Sequence, residues 1–126
     1  MIMITGGAFQ GKTEYMKKRF SLTNDEIADG GNCDISGLAE SRFITHYELA
    51  VKRMLSAGID PLVFTEALDC EAIEMNEIGC GIIPLDKSER EWREMTGRAG
   101  CILAGKADEV VRVCCGIPTV IKGEML

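Results

Sequence analysis

The sequence predicts a single three-layer α/β domain, with a mainly parallel sheet between helices. Three observations predict it. Short apolar runs alternate with capped helical segments, the order that builds parallel sheets. The first apolar run is followed at once by glycines and then by a helix. The chain has 126 residues, enough for one core and too few for a large second domain.

Each element follows from local chemistry. Met1-Ile2-Met3-Ile4 reads as a buried strand, and Lys12 to Phe20 as a helix. Glu26 to Ala28 is a candidate short strand, closed by the turn-forming Asp29-Gly30-Gly31-Asn32. Residues 29–42 read as loop with one helical turn. Thr45-His46-Tyr47-Glu48 matches a capping box, in which the Thr and Glu side chains satisfy free N–H groups. Leu49, Ala50, Met54 and Leu55 then recur at helical spacing, and Gly58 suits the C-terminal cap. Asp60-Pro61 opens another helix, to about Leu68. Ala72 to Asn76 is a short strand. Ser88-Glu89-Arg90-Glu91 is a second capping box, opening a long helix through Trp92, Met95, Ala99, Ile102 and Leu103. Val110 to Cys115 is β-branched and apolar, the strongest strand signal in the chain.

Composition excludes several function classes. Charged residues make up 27% and the net charge is −6, with one short basic run at Lys17-Lys18-Arg19 that reads as a solvated helix face. Nucleic acid is therefore not an expected partner. No apolar run is long enough to span a bilayer. Six cysteines occur without a C-x-x-C pair, and His46 is the one histidine, so no zinc-ligand spacing is present. With no export signal before the first motif, the cysteines read as reduced, mostly buried thiols and the expected compartment is the cytoplasm. Cys114 and Cys115, inside an apolar strand, are both expected to be buried. Cys80, between two glycines, is the thiol most open to exposure.

Gly6-Gly7-Ala8-Phe9-Gln10-Gly11-Lys12-Thr13 satisfies the phosphate-loop pattern G-x-x-x-x-G-K-[ST], between a strand and a helix as that pattern requires. Glycines let successive N–H groups converge on phosphate oxygens. The helix start adds partial positive charge and free donors. Lys12 supplies a mobile charge for the β- and γ-phosphates, and Thr13 a hydroxyl for Mg²⁺. The domain is thus expected to be P-loop NTPase-like, binding Mg²⁺ with ATP or GTP. An acidic partner for Mg²⁺ is expected beyond a strand's carboxyl end, where Asp29, Asp34 and Glu77 are candidates, Glu77 first. Each also reads as a turn residue or helix cap.

With the loop placed, the chain resembles the adenosylcobinamide kinase / adenosylcobinamide-phosphate guanylyltransferase family. That family carries a GGARSGKS-like loop, an NEVGxGIVP segment, a GRxNQxLA helix and an ADEVxxVVxGIPxxIKG ending. This chain reads GGAFQGKT, NEIGCGIIP, GRAGCILA and ADEVVRVCCGIPTVIKG. The resemblance covers residues 2–13 and about 75–123. It implies a P-loop kinase that phosphorylates the aminopropanol hydroxyl of adenosylcobinamide, a guanylyltransferase that adds GMP, and assembly as trimers. Phe9 and Gln10 replace the usual Arg-Ser, and Gly100 and Cys101 the usual Asn-Gln. Between the second strand and the NEIG segment the chain is several tens of residues shorter. That stretch carries the family's GMP-accepting His in an H-x-x-x-R setting, which His46 does not share.

Two further residues carry alternative readings. Arg98 falls on the family helix, where it neutralises transferred phosphate charge or lies on a solvated face. His46 is a helix-cap residue or a nucleophile. A nucleophilic imidazole needs a group to orient it, and Glu40 or Glu48 could do so in space. Trp92 and Met95, three apart on one helix, read as core. The sequence therefore supports an adenosylcobinamide-kinase-like phosphotransferase, with guanylyl transfer left open as a second activity. The alternative is a non-catalytic nucleotide-binding module that has lost corrinoid chemistry.

Overall fold

The structure, a computed structural model, describes residues 1–7, 10–78 and 86–123. They form a six-stranded sheet: β1 (Ile2–Gly6), β2 (Ala28–Asp29), β3 (Phe43–Thr45), β4 (Ala72–Asn76), β5 (Glu109–Cys114) and β6 (Ile117–Lys122). The order across the sheet is β2-β3-β4-β1-β5-β6, parallel except for β6, which pairs antiparallel with β5. The helices are α1 (Lys12–Phe20), α2 (Ile35–Leu38), α3 (Tyr47–Ser56), α4 (Pro61–Ala67) and α5 (Lys87–Lys106). This is the expected three-layer, mainly parallel α/β architecture.

Strand alternation divides the core into two layers. Ile4, Phe43, Ala72, Val111 and Val113 face α1 and bury Met16. Their neighbours Met3, Ile44, Ile73, Met75 and Val110 face the other way, onto Tyr47, Ala50, Val51 and Met54 of α3 and Ala99 and Leu103 of α5. Burial pushes the Tyr47 hydroxyl up to about 12, and it hydrogen-bonds the Thr65 hydroxyl of α4 at 2.8 Å. Trp92 joins this layer as expected, and its indole N–H donates to the Glu48 carbonyl at 2.7 Å, tying α5 to α3.

Helix ends show where local signals decided the structure. Asp60 caps α4 by accepting from the N–H groups of Leu62 and Val63. Gly58, at φ 74°, closes α3 with its N–H directed to Leu55 O and that of Ile59 to Met54 O. Both capping-box expectations are corrected. Asp86, not Ser88, caps α5, because its carboxylate accepts the Ser88 N–H at 2.8 Å and holds that residue inside the first turn. Thr45 ends β3 and does not cap α3; that place falls to His46, in the left-handed region at φ 54°. Strand β3 falls at the junction of the stretch read as loop, residues 29–42, and the expected Thr45 cap. Its three residues are too few to show alternation.

The cysteine expectation also changes. Cys114 is exposed at the end of β5, and Cys115 is exposed in the turn to β6 at φ 51°. Strand β6 is an edge strand with Ile117 and Ile121 open to solvent, and among the described residues no layer covers that side. Cys101 is exposed, and Cys70 is buried, its thiol pushed up to about 11 by burial. Cys80 lies outside the described residues. Among the described residues no helix is long and apolar enough to cross a membrane.

Leu103, fully buried where α5 meets the sheet, and Val63, 66% exposed on α4, give opposite expectations. Leu103→Ala lowers the unfolding free energy by about 2–5 kcal/mol. Val63→Ala changes it by about 0.5 kcal/mol or less. Urea denaturation of both variants checks the pair.

Candidate functional site

The loop between β1 and α1 opens at the carboxyl end of the central strands, where open α/β sheets collect ligands. Gly6 ends β1 at φ 146°, and a Cβ there would sit 2.4 Å from the Val113 carbonyl oxygen, so only glycine fits. Gly11, at φ 90°, precedes the first turn of α1. The β5–β6 turn braces the loop: Gln10 accepts the Cys115 N–H on its side chain at 2.6 Å and the Gly116 N–H on its carbonyl at 2.9 Å. Lys12 is 4% exposed, and its ammonium donates to the Gly7 carbonyl at 2.6 Å. Ala8 and Phe9 lie outside the described residues.

Thr13 donates its hydroxyl to Glu74 Oε2 at 2.8 Å. Thr45, arriving from β3, donates to the same oxygen. Glu74 points to this side because β4 runs parallel to β1 in register, with Ile4 beside Glu74 and Gly6 beside Asn76. It is 1% exposed. A second carboxylate, Glu48 of α3, is also buried and accepts the Asn76 N–H at 2.9 Å. Burial raises the Glu48 carboxyl above the ordinary range. The Asn76 and Glu48 N–H groups oppose that rise, Glu74 adds to it, and His46 opposes it.

These groups line one cleft of about 400 Å³, walled by Lys12, Thr13, His46, Glu48, Glu74 and Asn76. His46 turns Nδ1 toward Asp29 Oδ1 at 3.3 Å and Thr45 Oγ1 at 3.4 Å. Asp29, which ends β2, therefore faces the imidazole and not the phosphate loop. The arrangement places the Lys12 ammonium and the first turn of α1 on this cleft, positive character that suits an anion. Beside them stand a hydroxyl and carboxylate of the hard-oxygen type that suits Mg²⁺.

The other sequence candidates lie elsewhere. Glu77 pairs with Arg112 at 2.9 and 3.1 Å, outside the cleft wall. Asp34 caps α2 through the Ser36 N–H and hydroxyl. Arg98 is exposed and pairs with Glu94 one turn away at 2.8 Å. Of the residues proposed from the sequence, Gln10, Gly11, Lys12, Thr13 and His46 share the cleft. Glu74 was missed, although a lone carboxylate inside the apolar strand Ala-Ile-Glu-Met-Asn is the signal that marks it. Thr45 was hidden by its resemblance to a capping box, and Glu48 was named only as a group that could orient His46.

Ionisation of Glu48 gives a pH-dependent stability. Its folded pKa lies above its unfolded value, so the folded state holds the proton over the intervening range. Wild-type stability therefore falls relative to Glu48→Gln as pH rises from the ordinary carboxylate range through the folded pKa. The Gln amide oxygen still accepts from Asn76. Urea midpoints of the two proteins from pH 4 upward check the divergence.

Comparison with known proteins completes the description. The profile of the cobinamide kinase / cobinamide phosphate guanyltransferase family matches residues 50–121, more than half of the chain. The bifunctional adenosylcobalamin biosynthesis protein CobU of Salmonella typhimurium is 45% identical over 47 residues, 37% of this chain. The matched stretch spans 26% of that relative's length. The chain belongs to the cobinamide kinase / cobinamide phosphate guanyltransferase family.

Proposed function

From that membership as premise, we propose that the chain is a nucleoside-triphosphate-dependent kinase that phosphorylates the alcohol of adenosylcobinamide. The observation that carries this reading is the Thr13–Glu74 hydrogen bond beside Lys12. It joins the phosphate loop to a buried carboxylate at the place where a metal-nucleotide is held.

The loop N–H groups and the start of α1 bind the phosphates, and Lys12 swings from Gly7 to the β- and γ-phosphates. Thr13 and Glu74 would hold Mg²⁺, which would supply neutralisation of the phosphate charge. Thr45 keeps Glu74 oriented through its second hydrogen bond. Lys12 and the N–H groups then stabilise the charge that develops on the transferred phosphoryl group. ATP or GTP is the nucleotide, and a trimer is the expected assembly by family resemblance. Guanylyl transfer is left out of the proposal, because His46 follows β3 directly and lacks the family's H-x-x-x-R setting. A nucleotide-binding module without transfer is the competing reading, motivated by the shortened middle of the chain.

Titration calorimetry with ATP and GTP in Mg²⁺, with and without adenosylcobinamide, begins the test, followed by an assay of phosphoryl transfer. Nucleotide binding that strengthens with the corrinoid, and transfer to it, is expected. Binding indifferent to the corrinoid, with no transfer, supports the module instead. Folded protein that binds neither nucleotide overturns both readings. Lys12→Ala is expected to lower transfer on the order of 10²- to 10³-fold, as loss of one preorganised charge-stabilising group does. In a Mg²⁺ titration of turnover, Glu74→Gln raises the metal requirement and Glu77→Gln leaves it unchanged. The opposite pattern would move the metal site to Glu77.

A further inference from the structure

We infer that His46 is the general base that takes the proton of the acceptor hydroxyl, an inference that rests on the phosphotransfer reading above. Three observations carry it. First, His46 is one of the residues that wall the same cleft as Lys12 and Thr13, the space where a phosphate and an acceptor would meet. Second, its orientation is held. Asp29 Oδ1 lies 3.3 Å from Nδ1, and a carboxylate only accepts, so the ring proton sits on Nδ1. Thr45 donates its own proton to Glu74, so toward His46 it too can only accept. In the neutral ring Nε2 then carries the lone pair, and among the described residues it has no hydrogen-bond partner. Third, the backbone holds His46 at φ 54°, a left-handed conformation that disfavours a residue with a side chain. Asn or Gly would serve that helix start with less strain.

The step balances. The acceptor O–H gives its proton to Nε2 as its oxygen bonds to the γ-phosphorus. The bond from that phosphorus to the bridging oxygen breaks, and its electron pair leaves on the nucleoside diphosphate. Asp29 stabilises the imidazolium that forms, and the proton then passes from Nε2 to water at the open side of the cleft. No oxidant or further reactant is required. Among the sequence candidates for orienting this histidine, neither Glu40 nor Glu48 does so; Asp29, proposed for the metal, does.

His46→Gly tests the assignment, since glycine adopts φ 54° freely and leaves a hole the size of the ring. His46→Asn, which also tolerates the left-handed region, provides a second variant that folds. Both are expected to bind Mg²⁺-nucleotide as wild type does and to lose phosphoryl transfer to adenosylcobinamide by about 10²- to 10⁴-fold. Free imidazole is expected to restore transfer to His46→Gly in a concentration-dependent way and to leave His46→Asn unaffected. Transfer by either variant within a few-fold of wild type overturns this inference and leaves the kinase reading standing. Loss of nucleotide binding without imidazole rescue also overturns it, because it assigns His46 a structural role. Wild-type protein that binds nucleotide yet transfers nothing overturns the kinase reading and this inference with it.

Discussion

The carboxylate of Glu74 is the point on which the site depends. One oxygen accepts two hydroxyl protons, from Thr13 at the start of α1 and from Thr45 at the end of β3. A carboxylate nearly closed to solvent is costly unless it is hydrogen-bonded. The two hydroxyls bond one of its oxygens, and in doing so they fix the first turn of α1 against two strands. The sheet order matters because β4 lies between β3 and β1, so one residue on β4 can reach both neighbours.

The remaining supports of the cleft follow from that anchor. Gly6 lets β1 approach Val113, and the β5–β6 turn holds Gln10 from the far side. On the near side, Glu48 accepts the N–H of Asn76, so the start of α3 is bound to the end of β4. The cleft thus has one wall from each of three parallel strands' carboxyl ends. Its electrostatics are mixed accordingly: Lys12 and the start of α1 bring positive character, Glu74 and Glu48 line the same cleft, and Asp29 stands behind His46. That mixture suits a phosphate carried with a metal and attacked by a hydroxyl.

Chemistry and family membership agree at different places in the chain. The matched family region runs over residues 50–121, which includes β4, α5 and the β5–β6 hairpin. The phosphate loop precedes it and is recognised by its own pattern. Glycines and small residues of the GRAGCILA segment let α5 pack close: a Cβ on Gly100 would lie 2.8 Å from the Met75 methyl. The helix resemblance therefore serves packing at Ala99 and Leu103, while Arg98 turns to solvent.

By itself the sequence determined what local chemistry controls. The strand–glycine–helix opening, the caps at Asp60 and Gly58, the strand Ala72–Asn76 and the alternation that makes a parallel sheet were all legible. The place of Lys12 and Thr13 at the start of α1 was legible too, because the loop pattern is contiguous and its spacing sets its geometry. Only the tertiary structure decided which acid stands at Thr13, since Glu74 and Glu77 differ by three positions and strand parity sends one into the cleft and the other to Arg112. It also decided that Thr45 and Glu48 serve the site rather than a capping box, and that Asp29 orients His46 across two strands. Those contacts join residues 17 to 61 positions apart, a separation over which no periodicity in the chain carries information.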